Sequence, residues 1–230
     1  MVLVLGVTGS IATGKSAVCQ ILVELGAVHC DADRLVHRLY DPGTPGFARV
    51  VAEFGADVVG QDGFVDRKVL GSKVFGNPEA MRRLTRAMGD ISAAIQAEID
   101  GWRVSLPEDA VAVMEAVNLI EPGYGAWCDQ VWLVAAEPET ARPRLIARNG
   151  FSEAEAEQRL QSQRPWQERA PAADFVLHND TDLATITAAV RAECARVRAL
   201  HAAGLLPPSR YQSWWEARKA ALADARAAQT

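Results

Sequence analysis

The sequence contains no apolar run long enough to span a bilayer, and its first residues lack the basic region and cleavage site of a signal peptide. Cysteine is scarce, and no two cysteines have C-x-x-C spacing; the four lie at Cys19, Cys30, Cys128 and Cys194. A disulfide framework is therefore not expected, and we interpret these residues as reduced, packed thiols. Together these absences predict a cytoplasmic protein with no membrane association.

An excess of positive charge is also missing. The 230 residues include 24 Lys and Arg against 29 Asp and Glu, a formal net charge of −5 that argues against nucleic-acid binding. Hydrophobic residues make up 49% and charged residues 23%, which is ordinary for a globular protein. The length suits one α/β domain with insertions or a small appendage. An anionic substrate must then find its cations in a local cleft.

One stretch, Gly9–Ser16, reads GSIATGKS and fits the pattern G-x-x-x-x-G-K-[ST] without a mismatch. An apolar, β-branched run precedes it, and apolar residues at helical spacing follow it as far as Gly26. Strand, glycine-rich loop and helix occur in the order that a P-loop requires. The sequence therefore predicts a site for the phosphates of ATP.

The residue types of this stretch explain the prediction. Gly9 and Gly14 allow the backbone to point its N–H groups toward phosphate oxygens at a helix N-terminus. Lys15 supplies a cation for the β- and γ-phosphates, and the Ser16 hydroxyl is the predicted ligand for magnesium bound with ATP. The predicted ATP-binding residues of the loop are Gly9, Ile11, Ala12, Thr13, Gly14, Lys15, Ser16 and Ala17.

Two aspartates end a second predicted strand at residues 27–31. Because ligands lie beyond the carboxyl ends of strands in an open parallel sheet, Asp31 and Asp33 are expected to face the P-loop. Asp33 is the candidate general base for a substrate hydroxyl, and Asp31 is a candidate cap or a holder of metal-bound water. The alternative interpretation makes them only a helix N-cap.

The other apolar runs predict a three-layer α/β core of the P-loop NTPase type with a parallel sheet. Runs at 110–117, 130–136 and 174–180 are typical of further strands, and the first lacks the terminal aspartate of a standard Walker B strand. The predicted division is a kinase domain 1–201, made of a core (1–40, 102–141 and 170–201), a helical acceptor-binding insertion 41–101 and a helical lid 142–169, followed by a C-terminal helical extension 202–230.

Within the insertion, apolar residues from Met81 to Ile99 recur every three or four positions and predict one longer helix. The lid contains several arginines that either stabilise transition-state charge or form a solvated face paired with glutamates. Ser152 and Glu155 predict a capping box there. The aromatic helix of the extension is expected to dock on the body of the protein or on another subunit. The lid arginines and their glutamate neighbours are Arg142, Arg144, Arg148, Arg159, Arg164, Arg169, Glu153, Glu155 and Glu157.

Several motifs, in order, resemble the dephospho-coenzyme A kinase family over roughly residues 1–200. Among them are the P-loop, the Asp31–Asp33 pair, Leu119-Ile120-Glu121, Arg159-Leu160-x-x-Gln163 and Ala173-Asp174-Phe175-Val176-x-x-Asn179. The resemblance implies ATP-dependent phosphorylation of the ribose 3′-hydroxyl of dephospho-coenzyme A, the last step of coenzyme A synthesis. ATP and dephospho-coenzyme A are then the partners, and the protein is expected to be a monomer or a weak homo-oligomer.

By motif, the resemblance implies roles for individual residues. Asp33 matches the general base, Lys15 a catalytic phosphate contact, and Arg144 with Arg148 the catalytic arginines of the lid. Asn179 matches a residue near the adenine of ATP; without the resemblance it would be a turn former or a nucleobase contact. The implied acceptor-binding residues are Asp31, Asp33, His37 and Glu121.

The chain departs from the family pattern at several places. Ser10-Ile11-Ala12 stands where a second loop glycine is usual, and Gly89-Asp90 replaces a usual His-Pro in the insertion. The presumed base, Lys15 and the Ser16 hydroxyl are retained, so catalysis is expected to survive. Two alternatives remain: a kinase of another small metabolite on the same fold, and a nucleotide-binding regulator that binds ATP without turnover.

Overall fold

The computed structural model describes residues 1–227 and contains a five-stranded sheet. The strands lie in the order β2-β3-β1-β4-β5; β1 is parallel to β3 and β4, and β4 is parallel to β5. Parallel neighbours need crossover connections, here supplied by helices, so the predicted α/β fold class is confirmed. The strands are β1 (Leu3–Thr8), β2 (Val28–Asp31), β3 (Val111–Glu115), β4 (Gln130–Ala135) and β5 (Phe175–His178).

Eleven α-helices accompany the strands within the described part of the chain. They are α1 (Lys15–Glu24), α2 (Ala32–Arg38), α3 (Pro45–Phe54), α4 (Arg67–Val74), α5 (Pro78–Met88), α6 (Ile91–Ser105), α7 (Pro138–Asn149), α8 (Glu153–Gln161), α9 (Trp166–Arg169), α10 (Leu183–Ala202) and α11 (Arg210–Ala227). The predicted capping box at the start of α8 is present, with Ser152 and Glu155 bonded reciprocally.

Contacts divide the chain into two compact units. The first contains Met1–Cys30 and the chain from Ile99 onward, and the second is Asp31–Glu98. The finer predicted division into core, insertion, lid and extension stays a prediction.

The first unit has its core on the faces of the sheet. Every residue of β1 and β4 is buried, as expected for strands covered by helices on both sides. Helix α1 packs against α10 on one face, and its buried side chains Val18, Ile21 and Leu22 repeat at helical spacing. This packing fixes the loop between β1 and α1, where the phosphate-binding pattern lies.

The second unit is helical, and its described core includes Val50, Phe54, Leu70 and Leu84 from three helices. The prediction of one helix from Met81 to Ile99 is wrong. Helix α5 ends at Gly89, whose φ of 105° lies in the left-handed region that glycine tolerates, and α6 begins at Ile91. The apolar spacing stays in phase across this break, so periodicity alone did not reveal it.

None of the helices in residues 1–227 is both long and apolar enough to cross a membrane. All four cysteines are buried, in agreement with their interpretation as packed side chains.

Candidate phosphate-binding site

The P-loop is a compact turn between β1 and α1. Gly14 has a φ of 93°, and a side chain there would collide with the amide of Asn179, whose Nδ2 would lie 2.1 Å from the added Cβ. Position 14 therefore requires glycine for two reasons: the backbone conformation, and the lack of space for a side chain. Ala12 also has a positive φ, 60°, and is the one non-glycine residue of the described chain that does. It stands in the stretch where the family usually has a second glycine.

Asn179 braces the loop from the end of β5. It is buried, and its Nδ2 donates a hydrogen bond of 2.8 Å to the carbonyl of Thr13. The backbone carbonyl of Asn179 in turn accepts a hydrogen bond of 2.8 Å from Arg144 on α7. A residue predicted to lie near the adenine thus contacts the phosphate loop itself.

Lys15 and Ser16 open helix α1. The Lys15 ammonium lies 3.1 Å from the carbonyl of Ser10, so the side chain folds back across the P-loop. This is the loop where Lys15 is predicted to contact the phosphates of ATP. The Ser16 hydroxyl donates a hydrogen bond of 2.9 Å to Oε1 of Glu115, the last residue of β3. Glu115 is buried, with 7% of its surface exposed. A carboxylate therefore stands beside the P-loop serine although the strand has no terminal aspartate.

Glu115 also lies close to His29 and Cys19, whose nitrogen and sulfur atoms are softer metal ligands than oxygen. Its Oε2 lies 3.1 Å from Nε2 of His29, and the ligand atoms of Glu115, His29 and Cys19 are all within 4.8 Å of one another. A mixed S, N and O set suits a softer metal such as zinc, whereas the Ser16 hydroxyl with the Glu115 carboxylate is the oxygen set that magnesium prefers. The donors beside the P-loop therefore fit magnesium.

The predicted lid also contacts the P-loop. Oε1 of Gln163 accepts a hydrogen bond of 2.7 Å from the backbone N–H of Ile11, one of the predicted phosphate-binding groups. A cavity of about 470 Å³ lies here, lined by residues of the P-loop and of α7 to α9 that include Ser10, Pro138 and Trp166. Its volume is within the range of small-ligand sites.

The lid arginines do not form one uniform group. Arg148 is exposed and bonds the neighbouring Asn149, at 2.9 Å, whereas Arg142 pairs with Glu157 at 2.6 Å. Arg159 lies 4.3 Å above the ring of Phe151. Of the two predicted catalytic arginines, Arg144 is therefore the one with a described link to the P-loop. The link runs through Asn179, which accepts from Arg144 and donates to Thr13.

Arg169 is separate from these, because it is buried and paired with Glu121. Its Nε donates to Oε1 of Glu121 at 2.7 Å, and only 6% of its side chain is exposed. Oε2 of Glu121 and Nη1 of Arg169 are both buried and have no hydrogen-bond partner among the residues that the structure describes. Buried polar atoms are normally satisfied, so this pair has unused capacity for a ligand.

The second unit contains the other predicted acceptor residues. Asp31 caps α2 by accepting from the backbone N–H of Asp33 at 2.8 Å, and Asp33 is exposed in the first turn of the helix. The capping interpretation of Asp31 therefore has a structural basis.

His37 follows one helical turn later and is hydrogen-bonded to the hydroxyl of Tyr40. Burial, together with the positive charge of Arg67, lowers the pKa of His37 in spite of opposing effects from nearby aspartates. Tyr40, Arg67 and Lys68 line a cavity of about 750 Å³ within this unit. Its lining carries two cations, Arg67 and Lys68, and also three carboxylates, Asp41, Asp62 and Asp66, so a ligand there meets both signs of charge.

The sequence interpretation missed three contacts of these sites. Glu115 stands where a Walker B strand would have an aspartate, and an acid at the end of a buried strand is the signal that could have indicated it. Gln163 lies in the Arg159-Leu160-x-x-Gln163 motif, but the motif does not indicate its contact with Ile11. The pairing of Arg169 with Glu121 joins positions 48 apart in the chain, and no local pattern indicated it.

A P-loop between the first strand and helix of a parallel sheet, with a carboxylate at its serine, defines the class of P-loop phosphate-transferring proteins. The family model described as dephospho-CoA kinase matches residues 3–185. A dephospho-CoA kinase of Symbiobacterium thermophilum is 40% identical over 221 residues, covering 89% of this chain and 90% of the relative. One of Geobacter metallireducens is 44% identical over 179 residues, covering 77% of this chain and 88% of the relative.

Two solved structures agree with this fold. The protein TT1252 of Thermus thermophilus is 28% identical, with a TM-score of 0.66, and the alignment covers 85% of this chain and 97% of that one. The dephospho-CoA kinase of Campylobacter jejuni matches in fold, at 23% identity and a TM-score of 0.59, over 85% of this chain and 97% of its own. The chain belongs to the dephospho-CoA kinase family, which confirms the resemblance seen in its motifs.

Proposed function

We propose that the protein transfers the γ-phosphoryl group of ATP to the ribose 3′-hydroxyl of dephospho-coenzyme A, giving coenzyme A and ADP. The observation that carries this proposal is the family match over residues 3–185, a span that includes the P-loop, the second unit and Glu121. In the reaction, the 3′-oxygen forms a bond to the γ-phosphorus and the bond to the β–γ bridging oxygen breaks. The hydroxyl proton must pass to a base.

The P-loop side of the reaction is electrostatic. The N–H groups of Gly9–Ser16 and the ammonium of Lys15 bind the phosphates and hold the γ-phosphorus in position. Ser16 and Glu115 are the side chains that would hold magnesium bound with ATP, and the ion would supply positive charge to the phosphates. Gln163 must release the N–H of Ile11 before that group can bind phosphate, because one N–H cannot serve both acceptors.

On the acceptor side, Asp33 is the proposed base. Its carboxylate is exposed at the start of α2, where it is accessible to a substrate hydroxyl. Arg67 and Lys68, the two cations of the second unit's cavity, are the proposed contacts of the dephospho-coenzyme A pyrophosphate, and they stand beside three aspartates of the same lining, Asp41, Asp62 and Asp66. His37, which is hydrogen-bonded to Tyr40 of the cavity lining, is a further proposed acceptor contact. In the first unit, Glu121 is a further proposed acceptor contact, and its partner Arg169 holds it in place.

The test is ADP release by the purified protein with magnesium and ATP, comparing dephospho-coenzyme A with AMP, with adenosine and with no acceptor. Stimulation by dephospho-coenzyme A alone supports the proposal. Stimulation by another acceptor instead would reassign the substrate within the kinase class. Binding of ATP without stimulation by any acceptor would favour the regulator.

The proposal also covers the location and the oligomeric state of the enzyme. We expect it to act in the cytoplasm, where ATP and magnesium are plentiful, as a monomer or a weak homo-oligomer. Mass measurement by light scattering over a range of protein concentrations decides the oligomeric part, and a tight, concentration-independent oligomer would contradict it.

A further inference from the structure

The loop that follows β3 carries Glu121, and a helix far along the chain holds that loop in place. Tyr211, on α11, is completely buried, and its hydroxyl donates a hydrogen bond of 2.6 Å to the carbonyl of Ile120, the residue before Glu121. Burial, with a smaller contribution from the charge of Glu121, raises the pKa of Tyr211, so the hydroxyl keeps its proton and remains a donor.

The same helix packs on the loop at two glycines. A side chain on Gly125 would lie 2.8 Å from the ring of Tyr211, and one on Gly123 would lie 2.7 Å from the ring of Trp215. The loop backbone and the two rings are therefore in direct contact, with no space for another residue between them. The rings of Tyr211 and Trp215 are also stacked on each other, with centroids 6.1 Å apart.

The start of α11 is fixed to the segment that carries the partner of Glu121. The carboxylate of Asp174 accepts from the hydroxyl of Ser209 at 2.6 Å and from the backbone N–H of Arg210 at 2.7 Å. It also accepts from the N–H of Val131 at 2.7 Å, which ties it to β4. Asp174 follows Arg169 by five positions in the chain, so the start of α11 is bonded to the segment that carries Arg169. The same helix packs on the loop that carries Glu121.

From these contacts we propose that Tyr211 is a positioning residue for Glu121: by bonding the Ile120 carbonyl it fixes the loop that carries Glu121, and so sets where Glu121 and its partner Arg169 stand for acceptor binding. The family match ends at residue 185, so it gives α11 no role. This inference rests on the proposed function for its substrate, dephospho-coenzyme A, and deepens it by adding a residue that acts on acceptor binding through the loop.

The variant Tyr211→Phe tests the inference, because it removes the hydroxyl and keeps the ring that packs on Gly125. We expect the KM for dephospho-coenzyme A to rise about threefold to tenfold, the range that loss of one buried hydrogen bond produces, while the KM for ATP stays unchanged. Ser213→Ala is the matched control, since its hydroxyl bonds only within α11, to the carbonyl of Arg210. It should change neither KM.

Amide hydrogen exchange gives a second readout that does not depend on activity. In Tyr211→Phe, and not in Ser213→Ala, the amides of residues 119–125 should exchange faster. If Tyr211→Phe yields too little folded protein, Trp215→Leu replaces it, because it loosens the same loop at Gly123. The expected changes in the KM for dephospho-coenzyme A and in the exchange of residues 119–125 are the same.

A KM that is unchanged for both substrates, or raised equally for both, overturns the inference, because a general loss of stability does not distinguish acceptor from ATP. If the unaltered protein fails to phosphorylate dephospho-coenzyme A, the proposed function fails by itself. Hydrogen exchange alone then tests the inference. Unchanged exchange of residues 119–125 in Tyr211→Phe overturns it, and faster exchange there shows that Tyr211 holds the loop.

Discussion

The hydroxyl of Ser16 donates a hydrogen bond of 2.9 Å to the carboxylate of Glu115, and so the P-loop is joined to the end of β3. This contact gives the chain a carboxylate beside the serine that is predicted to bind magnesium, without the terminal aspartate of a standard Walker B strand. Glu115 is buried and is held from its other side by His29, at 3.1 Å, so its carboxylate has little freedom to turn away.

The first prediction removes the charge of this carboxylate and keeps its shape. Glu115→Gln should raise the magnesium concentration that gives half-maximal activity by about tenfold or more, because groups that orient metal ligands contribute about 10- to 100-fold to metal affinity. Activity measured against free magnesium at saturating ATP provides the test. Glu115→Asp keeps a carboxylate and should retain more affinity than the glutamine variant; equal magnesium dependence in all three proteins would contradict the role.

A second prediction concerns the conformation of Ala12. Its φ of 60° is strained for a residue with a Cβ, and glycine relieves that strain, although glycine also gains entropy in the unfolded chain. Ala12→Gly should therefore increase the free energy of unfolding by about 0.5 kcal/mol, measured by urea denaturation. Ala195→Gly, in the middle of α10, is the control and should decrease it by about 1 kcal/mol. Similar losses in both variants would show that Ala12 is not strained.

The sequence predicted the features that local patterns determine. The P-loop, the strands and the capping box at Ser152 depend on residues close together in the chain, and each was found where it was expected. The break at Gly89 was missed because the apolar spacing continues across it, and only the backbone conformation of the glycine separates α5 from α6.

Contacts between distant positions could not be predicted in this way. The bond from Ser16 to Glu115 requires the parallel register that sets Val7 opposite Glu115, and the pair Arg169–Glu121 requires α9 to reach the loop after β3. The aromatic residues of the extension gave only the expectation that it docks. That Tyr211 docks on the loop of Glu121 depends on Gly125 leaving room for its ring.

A third prediction separates two roles for Asn179. Its contact with Thr13 makes it a brace of the P-loop, so Asn179→Ala should weaken the binding of ATP and of GTP by similar factors, about fivefold each for one lost hydrogen bond. A residue that recognised the adenine would instead affect ATP alone. Calorimetric titration with both nucleotides distinguishes these outcomes. Gln20→Ala, which removes an exposed amide on α1, is the control and should leave both affinities unchanged.

A fourth prediction follows from the burial of Cys128. Burial raises the pKa of its thiol to about 12, well above the ordinary value, so the reactive thiolate is almost absent at pH 8. We expect a thiol reagent such as dithionitrobenzoate to react slowly with the native protein and to modify all four cysteines once denaturant is added. Rapid modification of Cys128 in the native protein, located by peptide mass analysis, would contradict its burial.

The last prediction concerns the proposed base. Asp33→Asn keeps the size of the side chain and removes its ability to take the proton of the 3′-hydroxyl, so kcat should fall by about 100-fold or more while ATP affinity stays the same. Asp57→Asn is the control within the same unit: Asp57 is exposed and pairs with Lys73 at 2.7 Å, and its loss should leave kcat unchanged. Steady-state rates with dephospho-coenzyme A, together with ATP binding by titration, provide the comparison. Near-normal turnover of Asp33→Asn would remove Asp33 from the mechanism even if the substrate is correct. A matching fall in ATP affinity would show instead that the substitution acts on nucleotide binding, because loss of a base slows proton transfer and leaves the nucleotide contacts intact.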